Sequence, residues 1–560
     1  MPRPPDPAVL ERPWVAAYPP GVPPTYDLPK VALPRFLDDA ARDFSNRTAL
    51  VTPTTAIDHG TLRDRVDAVA TVLGDAGVGA GERVLLLLPN HATTPVVLFA
   101  VWRLGAVAVP LPPTLGIDEL IAVVADAEPS GVVAPRATLE AMAGQHDLLP
   151  EVAVAVDGRE WQTRGRLSRL RPRRPGRSRR AGDGDASILE LTAQLEDLGD
   201  HRSVPAGPVP DDPAMLAYPP RPARLGAAVL SHANLVANAF QARLWIPDVQ
   251  AGRERVLVAD PLHEVMTTTL GLLSGLLAAA TVILLDDADS GELATAIDRE
   301  QPTLLFLRPE RLARLAADAP TRRDLTSVRV CITVGGPLDP EVATAMEERT
   351  SGAHVREGFG LREASPLTHA QPVYGRVEVR SMGLPVTDTV AVVVDPSDLA
   401  TPVAAGQPGM LLVSGPQVAG GYWRDPQATA DAFRDGWVVT GDIVTASDDG
   451  VFRHVGRADE LVHRDGTLVA PRSVEEVIER HPDVDRAAVT VLDGPALVAS
   501  VTCRRRHRVG IDELLAHCRS HLDPAGVPDR IEIVADLPMT AGGDIARDEV
   551  HRTLTGRSRT

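Results

Sequence analysis

The chain alternates short, continuous apolar runs with stretches of helical spacing, and that alternation admits few folds. Arg83–Leu88 and Ala106–Leu111 read as apolar strands, while Phe36–Phe44, Leu62–Leu73 and Thr94–Leu104 carry their apolar residues at helical spacing. The pattern returns in Arg255–Val258, Thr281–Leu285, Thr303–Leu307 and Val328–Val334. Apolar strands separated by helices of roughly 10–15 residues predict an α/β fold with largely parallel sheet and crossover helices. At 560 residues the chain is too long for one compact domain, so two or more are expected. After Pro385 the rhythm shortens into the strands Val390–Val394, Met410–Val413 and Trp437–Thr440, which predict a β-rich subdomain. A boundary is placed at 456/457. Residues 457–560 then read as a small α/β domain: helix Ser473–Arg480, strands Ala487–Val491 and Ala496–Val501, helix Ile511–Leu522, strand Arg530–Val534.

One region breaks the pattern. Between Gly158 and Asp212 lie nine arginines in the seventeen residues Arg164–Arg180, an acidic stretch around Glu190–Asp200, and a proline-rich run to Pro213. That composition predicts a solvated insertion or linker, with docking to an acidic partner or a phosphate-bearing ligand as the functional alternative. The uncharged, largely apolar run Val265–Leu285 is long enough to raise the question of a membrane span. Its small residues Gly271, Ser274, Gly275 and Ala278, followed by a strand and the Asp286-Asp287 pair, predict buried core instead.

Composition narrows the function. Asp and Glu number 75 against 57 Lys and Arg, a formal charge of -18, and aromatics are 3%. The average field repels nucleic acid, and there are too few rings for stacking on single strands, so no nucleic-acid partner is expected. Cys331, Cys503 and Cys518 have neither metal-ligand spacing nor the makings of a disulfide framework, and the opening residues lack the apolar core of a signal peptide; both point to the cytoplasm. Lys30 is the only lysine. Any chemistry that needs a lysine elsewhere is excluded.

Several segments together resemble the adenylate-forming superfamily of acyl-CoA synthetases, peptide-synthetase adenylation domains and luciferases. The fatty acyl-CoA synthetase branch is suggested by "RPWVAAYPPGVP" and "GERVLLLLPNHATTPVVLFAVWRLGAVAVPLPP". "CITVGGPLDPEVATAMEERTSGAHVREGFGLREASPLTHAQP" is similar to the acyl-pocket and adenine region, and "GYWRDPQATADAFRDGWVVTGDI" to the ribose-binding motif. "HVGRADELVHRDGTLVAPRSVEEVIERHPDV" resembles the hinge and the start of a small mobile C-terminal domain. The resemblance implies a large N-terminal domain (1–456) of stacked mixed sheets with flanking helices and a β-rich subdomain, and a small α/β lid (457–560).

It also implies chemistry. Such enzymes activate a carboxylate with ATP and Mg²⁺ to an acyl-adenylate, then transfer the acyl group, usually to a thiol. By this resemblance Asp442 stands at the ribose carboxylate, Arg457 beside the hinge with Asp459 at the hinge itself, and Glu363 at the magnesium carboxylate. Phe359 stands where a ring packs the adenine, and Gly336, Gly358 and Gly360 fall in the pocket. Ligands implied are ATP, AMP, an acyl-adenylate or an acyl thioester. Acceptors and partners left open are CoA, an acyl carrier protein, an amine, another protein, or a second copy in a homodimer.

The departures fall on the polyphosphate and catalytic elements. Tyr218 and Ser231-His232-Ala233-Asn234-Leu235 frame the family's phosphate loop, yet the residues between read Pro219-Pro220-Arg221-Pro222-Ala223-Arg224-Leu225. Prolines remove donors, and the missing glycines keep the backbone from a phosphate. The threonine before the magnesium carboxylate is Arg362, and the lysine near the chain's end is Asp544. Reversing one charge at about 4 Å and an effective dielectric near 20 changes that contact by about 4 kcal/mol in each direction. The lysine near the hinge is Asp465, and the aromatic-His pair of the acyl gate is His263-Glu264. Three readings result. The first is a homologue that no longer adenylates but binds an acyl or nucleoside ligand or a partner. The second is an ATP-dependent acid–thiol or acid–amine ligase in which Arg362, with Arg221, Arg224 or Arg547, replaces lysine; the alternative for Arg362 is an internal ion pair with Glu363 or Asp442. The third is ATP-independent acyl transfer or condensation with His263 and Glu264 as acid and base.

Overall fold

A computed structural model of the chain describes residues 3–145, 148–158, 188–199, 201–204, 207–219, 226–317, 323–464, 467–492, 495–504, 507–538 and 545–557. Pro220–Leu225, Arg164–Arg180, Asp465 and Asp544 therefore lie outside the described residues. The chain divides into a larger unit, residues 6–391 and 413–438, and a smaller one, residues 1–5, 392–412 and 439–560.

The larger unit is a mixed α/β structure of stacked sheets. One sheet has nine strands, in the order Leu384–Pro385, Leu367–Ala370, His354–Gly360, Val330–Thr333, Leu304–Leu307, Arg255–Val258, Thr281–Leu284, Thr48–Val51, Ala56–Asp58. Its six central strands are parallel, and the antiparallel pairs lie at the two ends. Parallel strands need both faces covered, and Leu257, Ile283, Leu305, Leu307, Cys331 and Val355 are buried in one cluster with helix residues Leu293, Ile297, Leu312 and Leu315. Each fully buried aliphatic side chain there contributes about 1.5–3 kcal/mol. Arg255–Val258 lies between the two strands that follow it in sequence, one on each side, so its carboxyl end is where the strand order reverses. The second sheet has seven strands, in the order Ile188–Glu190, Val152–Val156, Gly131–Pro135, Arg83–Leu86, Val107–Pro110, Pro213–Ala217, Ala228–Ser231.

Two segments differ from the sequence expectation. Within 158–212, Ile188–Glu190 pairs parallel with Val152–Val156, and the helix Leu191–Leu198 follows with Leu191 buried. This part of the polar region belongs to a sheet edge, where a strand needs only one neighbour. The apolar run 265–285 is buried, but its first turns, Thr267–Leu273, are π-helical before the short α-helix Ser274–Leu277 and the strand Thr281–Leu284. Glycine is required on its packed face. A Cβ at Gly271 would lie 2.7 Å from Val258 Cγ2, and one at Gly275 3.0 Å from Val282 Cγ2. Among the described residues no helix is long and apolar enough to cross a membrane.

In the smaller unit residues 442–446 pair antiparallel with the strand Phe452–Arg457, with Asp442 opposite Arg457. Beyond them the three-stranded sheet Val484–Leu492, Ala496–Cys503, Arg530–Ile533 is covered by the helices Pro471–Glu479 and Ile511–His521. Val474, Ile478, Val489, Leu497, Leu514 and Ile531 form its core.

Candidate functional site

The larger unit carries the turn Arg362–Ala364, which follows the strand His354–Gly360. A buried amide network holds this turn. The helix His232–Trp245 starts from a cap in which Ser231 Oγ accepts from Asn234 N at 3.1 Å. Along that helix Asn238 Nδ2 donates to Leu367 O at 2.7 Å and its Oδ1 accepts from Leu367 N at 2.9 Å. Gln241 Nε2 donates to Gln417 Oε1 at 3.0 Å, and Ser365 Oγ donates to Gln417 O at 2.9 Å. The Glu363 carbonyl accepts from Ala419 N at 2.8 Å. Backbone at Glu363 and just after it is thus anchored to buried groups.

The Glu363 carboxylate is already engaged. Arg362 Nη2 donates to Glu363 Oε1 at 2.9 Å, and the Tyr422 hydroxyl donates to the same oxygen at 2.9 Å. Tyr422 is set by a T-shaped contact with Phe433, ring centroids 5.4 Å apart. Arg362 Nη1 is enclosed and meets no acceptor among the described residues; an unmet buried donor costs about 1–3 kcal/mol. Magnesium binds oxygen at about 2.0–2.1 Å and demands near-ideal octahedral geometry. At about 4 Å from a guanidinium and an effective dielectric near 20, a divalent cation is repelled by roughly 8 kcal/mol. Glu363, with Arg362 on it, does not fit that ion. Among the described residues no group of three or more His, Cys, Asp or Glu is arranged to hold a metal.

Phe359 is half-buried on the same strand, its ring 6.0 Å from that of His369 in a T-shaped contact. His369 is fully buried, and burial pushes its pKa down to about 3. Gly358 and Gly360 serve packing: a Cβ on Gly360 would come 2.3 Å from Pro366 O, and one on Gly358 3.0 Å from Val334 Cγ2. Gly336 is close to Glu310, whose Oε1 would lie 3.3 Å from an added Cβ, whereas a Cβ on its neighbour Gly335 would meet nothing within 4 Å.

The segment that follows Arg255–Val258 carries a second charged group. Glu264 accepts from Arg308 Nε at 3.2 Å and from Nη2 at 2.5 Å, and buried Asp260 accepts from Arg311 Nε at 2.9 Å and from Arg308 N at 2.8 Å. Burial raises the Glu264 pKa, opposed by Arg308. His263 is pushed down to about 4, first by burial and then by Arg308, so it is neutral at pH 7. The pair named from the sequence is thus a neutral imidazole beside a carboxylate neutralised by arginine.

In the smaller unit, Asp442 is buried. Its Oδ1 accepts from Arg457 Nη1 at 3.3 Å and lies 3.1 Å from His454 Nε2, and its backbone N–H donates to Thr440 Oγ1 at 3.0 Å. Arg457 Nη1 also donates to Thr440 O at 3.0 Å, and its Nε lies 3.7 Å from Asp459. Asp442 Oδ2 is buried with no donor among the described residues. Such an oxygen can accept one further hydrogen bond. Tyr422, Arg308 and His454 were not singled out in the sequence. Tyr422 and His454 lie inside the motifs quoted above, but nothing in a motif tells which carboxylate a hydroxyl or an imidazole will meet. Arg308 had no signal beyond its place just after a strand.

The model of the AMP-binding enzyme family matches residues 37–423, and that of the AMP-binding enzyme C-terminal domain residues 473–543. The chain belongs to the AMP-binding enzyme family and is an acyl-CoA synthetase/ligase homologue. It is 32% identical over 519 residues to a feruloyl-CoA synthase of Amycolatopsis sp., covering 91% of this chain and 97% of that one. It is 29% identical over 554 residues to a long-chain-fatty-acid–CoA ligase of Bacillus subtilis strain 168, covering 96% and 97%. In fold it is similar to the crystal structure of the anthranilate CoA ligase AuaEII in complex with anthranoyl-AMP, with TM-score 0.79, 23% identity, and 95% and 99% of the two chains covered.

Proposed function

We propose that this protein is a diverged acyl-CoA synthetase homologue that binds an acyl or nucleoside-type ligand without adenylating a carboxylate from ATP. The observation that carries the reading is the double engagement of Glu363 Oε1 by Arg362 and Tyr422. The carboxylate expected to hold Mg²⁺ is neutralised by the chain itself, and no lysine besides Lys30 exists to meet the developing charge of a displaced pyrophosphate. The unmet Oδ2 of Asp442 supports retention of a nucleoside corner. A pyrophosphate-release assay with ATP, Mg²⁺ and a panel of fatty and aromatic acids tests it. The expected result is no acid-dependent release above the no-enzyme control; release with any one acid would sink the reading.

The second reading is a working ATP-dependent ligase with arginine in place of lysine. What favours it is the near full-length match to relatives named as CoA synthases and ligases. In it Arg362 would leave Glu363 for a phosphate. Arg362→Ala would then abolish acid-dependent pyrophosphate release, whereas under the first reading there is none to abolish.

A further inference from the structure

The loops of interest follow two neighbouring parallel strands, Val330–Thr333 and His354–Gly360. In sheets of this kind ligands bind beyond the carboxyl ends of the strands. The first loop leaves open space at Gly335, and the second carries Arg362 and Glu363. Arg362 is unusual for a side chain already in an ion pair. Nη2 is used on Glu363, the side chain is a quarter exposed, and Nη1 is enclosed without an acceptor. Glu363, by contrast, has Oε1 met twice and is only 14% exposed. The cluster as it stands lacks one thing, an acceptor for a guanidinium N–H. An oxyanion supplies that; a metal ion does not.

We infer that Arg362 replaces a divalent cation beside Glu363, and that the site takes a ligand with a single phosphate group, a nucleoside monophosphate ester or an acyl-phosphate mixed anhydride, without metal. Nη1 carries two N–H groups without an acceptor, which suits the oxygens of one phosphate, and arginine forms charge-assisted bonds to phosphate with defined geometry. A triphosphate brings more charge than a monophosphate to a pair whose net charge is near zero, without the cation that would offset it. The inference rests on the non-adenylating reading proposed above.

The test is calorimetric titration of the full-length protein with AMP and with adenosine, each in EDTA and again in excess Mg²⁺. AMP is expected to bind at least tenfold tighter than adenosine, with affinities in EDTA and Mg²⁺ agreeing within twofold. Arg362→Gln should bring AMP down to the affinity of adenosine while leaving adenosine unchanged, which also shows that the variant is folded. Glu363→Gln should strengthen AMP binding severalfold by freeing the guanidinium, where a metal-holding carboxylate would instead weaken it. Equal binding of AMP and adenosine, AMP binding that needs Mg²⁺, or no AMP binding would each overturn the inference. Acid-dependent pyrophosphate release from the same sample would instead overturn the reading beneath it, so the two failures are told apart.

Discussion

The turn at Glu363 and the strand at Asp442 carry the same kind of group in opposite states. Asp442 has one oxygen on Arg457 and beside His454 and the other buried without a donor, so it still asks for a partner. Glu363 has the accepting capacity of one oxygen filled by Arg362 and Tyr422, and it is the arginine beside it that lacks an acceptor. On the reading proposed above, the demand at the second position moves from a carboxylate, which would take a cation, to a guanidinium, which takes an anion. Under it a pocket changes its ligand's charge through one neighbour while its own carboxylate stays in place.

The sharpest way to break this contrast is at Asp442. Asp442→Ala should weaken adenosine binding about 10- to 100-fold by calorimetry, since hydrogen bonds to charged groups contribute about 1.5–3 kcal/mol; an unchanged affinity would mean that Oδ2 meets no ribose. Next in size is an effect of acid on the whole larger unit. His232 and His369 are fully buried, with pKa values pushed by burial to about 4 and about 3. The unfolded state binds their protons from about pH 6.5 downward and the folded state does not, so stability is full above that value and falls until the folded pKa values are reached. Each histidine should remove about 1.4 kcal/mol per pH unit below 6.5, read as a falling denaturation midpoint between pH 6.5 and 4.5, with a shallower slope in His369→Gln.

A smaller effect is expected at Tyr422. Tyr422→Phe removes one of the two donors on Glu363 and should cost about 0.5–1.5 kcal/mol in urea unfolding without creating Mg²⁺ affinity. If Mg²⁺ then stabilises the variant, the hydroxyl and not the guanidinium is what keeps the cation out. Smallest is Arg457→Ala. Its guanidinium is 45% exposed, and pairs of that kind contribute about 0–1 kcal/mol, so the melting temperature should move little.

Much of the architecture was legible because parallel strands buried on both faces write themselves as apolar runs; Arg255–Val258 has the bounds read from the sequence. The π-turn was not, since a run of threonine, leucine and glycine buried all round shows no periodicity to separate 3.6 residues per turn from a wider one. Ile188–Glu190 was lost between polar flanks, because an edge strand of three residues is shorter than any window that could find it. The pairing of Arg362 with Glu363 was among the alternatives the sequence allowed. Tyr422 as its third member was not, because that contact joins residues 59 apart through a buried network of amides.

The wide turn Thr267–Leu273 has a consequence for how this chain could have been lengthened or shortened. A π-turn holds one residue more than the helix around it needs. Removing one residue near Thr267 would let the segment close into an ordinary α-helix and rotate what precedes it by about 100°. Gly271 and Gly275 would stay seated on Val258 and Val282, while Glu264 would be carried off Arg308. At this place a change of one residue in length, with no substitution at all, would be expected to open the Arg308–Glu264 ion pair.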